Sequence, residues 1–118
     1  MAAPNLLGTT TVTGKTALAT LSTVTANIIT NSSSSSTVDK LNDVILSNYT
    51  ASAVYANVMI NRSSTIYYIG GNIAIPANST LILLGKDTSL YLEEGDVLQA
   101  NVSANSSVSM TASYELMS

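Results

Sequence analysis

The chain has 118 residues, enough for one domain with its own core, and 46% of them are hydrophobic, which excludes disorder by composition. Only 9% are charged, against roughly a quarter in an ordinary soluble domain, and the net charge is −3 with four scattered cations, Lys15, Lys40, Arg62 and Lys86. A nucleic-acid backbone needs clustered cations, so that partner is not expected. With no Cys there is no disulfide framework or thiolate metal site, and with no His the commonest general base and transition-metal ligand are missing.

The first residues, MAAPNLLGTTTVTGK, lack a basic segment followed by an apolar one, so no signal peptide is expected. Apolar runs are about four residues, far short of the roughly 20 of a membrane helix. Residues 1–37 carry one charge, Lys15, and close on a serine run at residues 32–36. Residues 9–13 and 23–30 have β-propensity. Residues 16–22 are ambiguous, since Leu18 and Leu21 have helical spacing in a Thr-rich context. We read residues 1–37 as an extended arm with the first strand or strands and a Ser-rich loop. A mostly uncharged β-prone arm is poorly suited to free solution and is expected to meet a neighbouring subunit.

Residues 38–118 read as the body. Residues 38–47 form a strand whose alternation slips near Asp43, predicting a bulge. Residues 48–52 turn. Residues 53–61 alternate, with Val54, Ala56, Val58 and Ile60 on one face and Tyr55, Asn57, Met59 and Asn61 on the other. Arg62-Ser63-Ser64 is a turn, residues 65–69 a strand, and Gly70-Gly71-Asn72 a break before Ile73-Ala74-Ile75. Strands follow at 80–84, 90–92 and 96–104, with tight turns predicted at Gly85-Lys86-Asp87 and at Glu93-Glu94-Gly95-Asp96. The last strand, 107–116, has Val108, Met110, Ala112, Tyr114 and Leu116 facing in. Eight or nine short strands at such spacing predict an all-β fold. The expected architecture is a single antiparallel β-sandwich, Ig-like or jelly-roll-like, with an extended N-terminal arm.

Candidate chemistry is sparse. Glu93, Glu94 and Asp96 are the only charge cluster. Oxygen-rich corners can hold Ca²⁺, but these acids lack the spaced pattern of a calcium loop. The simpler reading is a corner in which Gly95 supplies positive φ and the acids solvate the tip. Gly70-Gly71 has neither the phosphate-loop motif nor a following helix. Serines abound, but no base accompanies them and no S-x-x-K motif is present, so an enzyme is not expected. Sequons at Asn31, Asn48, Asn61, Asn78, Asn101 and Asn105 imply no glycans without a signal peptide. The six tyrosines combine a packing ring with a hydroxyl for the wet side, as interfaces favour. The expected interface residues are Leu6, Leu7, Val12, Leu18 and Leu21 in the arm, and Tyr49, Tyr55 and Tyr67 in the body. Tyr and Asn side chains also leave open a receptor- or carbohydrate-binding module, provided Tyr49, Tyr55, Tyr67 and Tyr68 are exposed.

Several runs carry a resemblance: residues 40–48 (KLNDVILSN), Ile73-Ala74-Ile75-Pro76-Ala77, residues 90–96 (LYLEEGD) and Ala112-Ser113-Tyr114-Glu115. Together, across residues 37–118, they resemble small virion structural proteins of tailed bacteriophages, marine and cyanobacterial phages in particular. These are patterns of β-corners, so no functional residue is carried over. The resemblance implies a virion protein made in the host cytoplasm, either a capsid decoration (cement) protein or a neck or tail component. Its implied partners are the major capsid protein or other virion proteins and further copies of itself. Cofactors, membrane and small-molecule substrates are not expected.

Overall fold

The computed structural model describes residues 11–85 and 90–118. It contains nine strands: β1 (Val12–Thr20), β2 (Ala26–Thr30), β3 (Val38–Asn48), β4 (Val54–Arg62), β5 (Thr65–Ile75), β6 (Ser79–Leu84), β7 (Leu90–Leu92), β8 (Val97–Val102) and β9 (Val108–Met117). Thr, Val, Ile and Tyr suit the pleated surface, and the alternation of apolar and polar residues gives each strand one core face.

The strands build two sheets, ordered β1-β9-β3-β6, with β7 also on β3, and β2-β8-β4-β5, every pair being antiparallel. We call them sheet A and sheet B. β6 and β7 pair with successive parts of β3 and so count as one line along its edge. The result is the strand order of a jelly roll, two four-stranded layers between which the chain crosses repeatedly. Between the layers lie Leu41, Val44 and Leu46 of β3, Val54, Ala56 and Val58 of β4, Leu98 and Ala100 of β8, and Met110 and Ala112 of β9. Each large aliphatic side chain so buried contributes about 1.5–3 kcal/mol.

The segment expected to be an arm supplies two of these strands. β1 pairs along its whole length with β9, and β2 pairs with β8. Leu21 and Ile29 are core residues at 1% and 4% exposure. Residues 12–30 are therefore part of the sandwich, because their β-propensity is satisfied by the chain's own strand edges. Residues 1–10, with the expected interface residues Leu6 and Leu7, lie outside the described residues. The ambiguous stretch 16–22 resolves as the end of β1 and the turn after it.

The bulge predicted near Asp43 is present as a register shift between Leu41 and Asp43. The break expected at Gly70-Gly71-Asn72 is not an interruption. β5 runs through it with two register shifts against β4. A side chain on Gly70 would meet the Ile73 side chain and come within 3.1 Å of Leu83 Cδ1, so a larger residue there would make these two side chains shift. The turn predicted at Gly85-Lys86-Asp87 falls largely outside the described residues. β6 and β7 are both antiparallel to β3.

Each end of the sandwich is tied by one buried asparagine. At one end Asn48 is 1% exposed; its Nδ2 donates to the carbonyls of Ser52, Ile75 and Pro76, and its Oδ1 accepts from the Thr50 N–H and hydroxyl. At the other Asn31 is 3% exposed; its Nδ2 donates to the carbonyls of Thr37 and Leu92, and its Oδ1 accepts from the hydroxyls of Ser35 and Thr37. Such networks satisfy loop carbonyls that the sheets leave unpaired. Both asparagines begin sequons, and both amides are consumed by the fold.

Candidate functional site

Two features stand out against the sandwich frame: the acidic corner and the outer face of sheet B.

The corner joins β7 to β8 and so carries the chain from sheet A to sheet B. Gly95 has φ +88°, as the sequence predicts. The acids do not merely solvate the tip. Asp96 is fully buried at 0% exposure and accepts from Arg62 Nε at 2.7 Å, Arg62 Nη2 at 2.6 Å and the Glu93 N–H at 2.8 Å. Glu93 reaches the same Nη2 at 3.1 Å, and Glu94 Oε2 accepts the Ser36 N–H. The Gly95 and Asn31 N–H groups donate to the carbonyls of Asn31 and Asp96 respectively. Arg62 closes β4, distant in sequence, and its proton is held more tightly than usual, first by the hydrogen bond to Asp96. The corner thus fastens the β2–β3 loop, the β4–β5 turn and the β7–β8 connection together. Among the described residues no group of three or more acids converges on a cation position.

A second acid is less well accommodated. Asp39 on β3 is 2% exposed, and its Oδ1 has no hydrogen-bond partner among the described residues. Burial raises its pKa, with Lys15 on β1 acting in the opposite sense. Tyr114 on β9 is raised as well, first by burial and then by the Asp39 charge.

The outer face of sheet B follows from strand register, because residues directly opposite share a face. Asn57 pairs with Asn101, Met59 with both Tyr68 and Gln99, Asn61 with Ile66 and Val97, Tyr55 with Ala74, and Asn27 with Gln99. Two amide rows cross it. Asn57 Nδ2 donates to Asn101 Oδ1, Asn101 Nδ2 to the Thr25 hydroxyl, and the Asn72 N–H to Asn57 Oδ1. In the neighbouring row Gln99 Nε2 donates to Asn27 Oδ1. Tyr55 and Tyr68 stand exposed on this face at 51% and 62%.

The charges divide unequally between the sheets. β2, β5 and β8 carry none, and β4 carries only Arg62, which turns into the corner. In sheet A, Lys15, Asp39, Lys40, Asp43 and Glu115 lie on β1, β3 and β9. The outer face of sheet B is therefore a continuous uncharged surface of amides, tyrosines and aliphatic groups.

The expected interface residues scatter over this architecture. Leu21 is in the core and cannot meet a partner. Val12 and Leu18 are 54% and 75% exposed on β1, in sheet A. Tyr49, Tyr55 and Tyr67 are all more than half exposed, but only Tyr55 lies on the uncharged face; Tyr67 points the other way, beside Ile60, with which it is paired. Tyr68, Asn57, Gln99 and Asn101 belong to that face and were not singled out as interface residues. Counting charges strand by strand would have pointed to them.

No protein-family model matches the sequence, and no curated protein matches it.

Proposed function

We propose that the chain is a structural protein of a tailed-phage virion, acting as a capsid decoration protein that seats the outer face of sheet B on other virion proteins. The observation that carries this reading is the charge-free outer face of sheet B beside a charged sheet A. Buried interface cores are depleted in charge and enriched in tyrosine, which is the composition of that face. The resemblance of residues 37–118 to small virion proteins supports the same reading. Binding to assembled particles alone would stabilise them by mass action.

The test is to follow a tagged copy through infection and density-gradient purification of particles. The expected result is co-sedimentation with the major capsid protein at fixed stoichiometry, abolished by Tyr68→Lys with Asn57→Asp on the uncharged face. Recovery of the protein only in the unassembled fraction would overturn the reading. Its appearance on tails without capsids would move it from head to tail.

One observation favours a second reading, a module for neutral glycans. Tyr55 and Tyr68 are exposed on either side of the amide row, four residues along β4 and one strand apart, about 14 Å. Titration with neutral oligosaccharides checks it. Binding lost in Tyr68→Ala is expected under this reading, and no heat at millimolar ligand would sink it.

A further inference from the structure

Among the described residues four strand edges bound the two sheets: β1 and the β6–β7 line in sheet A, β2 and β5 in sheet B. An open edge offers unpaired N–H and C=O groups to any extended chain, and proteins blunt it with charge, bulges or brevity. β1 carries Lys15 and Gly14. β2 has five residues and a register shift between Asn27 and Ile29. The β6–β7 line is made of two short strands, of six and three residues. β5 is different. Both of its register shifts lie beyond the Met59–Tyr68 pair, so residues 65–68 pair regularly with β4. Residues 65–69 read TIYYI, with no charge, proline or glycine. Ile66, Tyr67 and Tyr68 are 39%, 58% and 62% exposed.

We infer that this edge is a self-pairing interface: β5 of a second copy adds antiparallel to β5 about a two-fold axis at Tyr67, so that sheet B continues through a dimer. Register supports the position of the axis. Ile66 and Tyr68 face outward with Asn61 and Met59, and Thr65 and Tyr67 face the other way with Arg62 and Ile60. A two-fold axis normal to the sheet must set outward residues opposite outward ones. An axis at Tyr67 pairs Ile66, Tyr67 and Tyr68 of the regular segment with the same three residues of the second copy. Ile66 then stands opposite Tyr68 of the second copy, a β-branched and aromatic pair of the kind that stabilises ladders. An axis at Ile66 would run into the Ser63-Ser64 turn, and one at Tyr68 into the bulge at Gly70.

Two further features suit a second copy. A hollow lined by Ile60, Arg62 and Tyr67 lies beneath the edge, where the axis places the second copy's Tyr67. The only cation there, Arg62, is already matched by Asp96 and Glu93, so two copies meet without like-charge repulsion. An isologous contact of this kind closes on itself and uses up the β5 edge of both copies. The inference goes beyond the virion reading and is tested without particles.

Purified full-length protein is expected to show a reversible monomer–dimer equilibrium in sedimentation velocity. Tyr67→Lys is expected to weaken association at least tenfold, while Val24→Lys, at a surface residue 72% exposed elsewhere, leaves it unchanged. Because the chain has no cysteine, Tyr67→Cys can form a disulfide only with its own symmetry mate. It is expected to cross-link under mild oxidation at least tenfold faster than Val24→Cys. A monomer at every concentration, a dimer that Tyr67→Lys leaves intact, or equal cross-linking at both positions would each overturn the inference.

Discussion

Replacing Arg62 with alanine is the sharpest test of how the corner holds the sandwich. Asp96 is fully buried and receives three donors, two of them from Arg62. Arg62→Ala leaves the carboxylate with the Glu93 N–H alone. Breaking a buried pair by removing one partner costs about 3–5 kcal/mol, mostly the penalty of the stranded charge. The arginine side chain is 48% exposed, so water screens part of the interaction and the lower end, about 3 kcal/mol, is expected. That is a large share of a total stability of about 5–15 kcal/mol. Urea unfolding measures it, as a fall in midpoint of about 2 M at unchanged slope for a slope near 1.5 kcal/mol per M. In Arg62→Ala with Asp96→Ala the losses should overlap by about 2 kcal/mol, because the second change removes the charge stranded by the first. Glu93→Ala, which removes an exposed partner, should cost under about 0.5 kcal/mol. A loss below about 1 kcal/mol for Arg62→Ala, or strict additivity in the double variant, would refute the account.

Three further outcomes follow from the same structure. Ser63 and Ser64 hold φ of 53° and 65° in the two-residue β4–β5 turn, a conformation that Asn-Gly adopts with less strain, so Ser63→Asn with Ser64→Gly should raise stability by about 1 kcal/mol in thermal unfolding. Asp39 has a folded-state pKa above its unfolded value; its ionised form weakens the fold at neutral pH, and that penalty is relieved as pH falls through the folded value toward the unfolded one near 4. Denaturation midpoints should therefore show an Asp39 contribution that grows on mild acidification, with Asp39→Asn more stable than the parent at pH 7 and lacking that increment. Truncation of residues 1–36 removes β1 and β2 with core residues Leu21 and Ile29, so the remaining chain should lose cooperative unfolding by circular dichroism. A folded truncated body would restore the arm reading.

Strand number, most strand limits and the inward faces of β4 and β9 could be read from alternation, because the pleat imposes period two wherever one face meets a core. Turn chemistry was readable where a residue's own conformation sets it, as at Gly95. The roles of Asn31, Asn48 and Asp96 were not, since each is defined by carbonyls or cations supplied from remote loops. The two exposed interface candidates Val12 and Leu18 and the buried Leu21 look alike in composition, and only the β1–β9 pairing separates them.

Period-two patterning and a wealth of β-branched residues make this chain all-β, and its low charge gives it largely uncharged polar surfaces. Those are properties of side chains and their nearest neighbours, and they do not depend on how the strands are ordered. The jelly-roll order, the inclusion of residues 12–30 in both layers and the gathering of charge away from sheet B depend on which strands pair. Pairing joins residues tens of positions apart through backbone hydrogen bonds common to every strand, and local sequence cannot rank such partners. The acidic corner shows both sides. Its glycine announces the turn, but only the folded chain brings Arg62 across to bury Asp96 there.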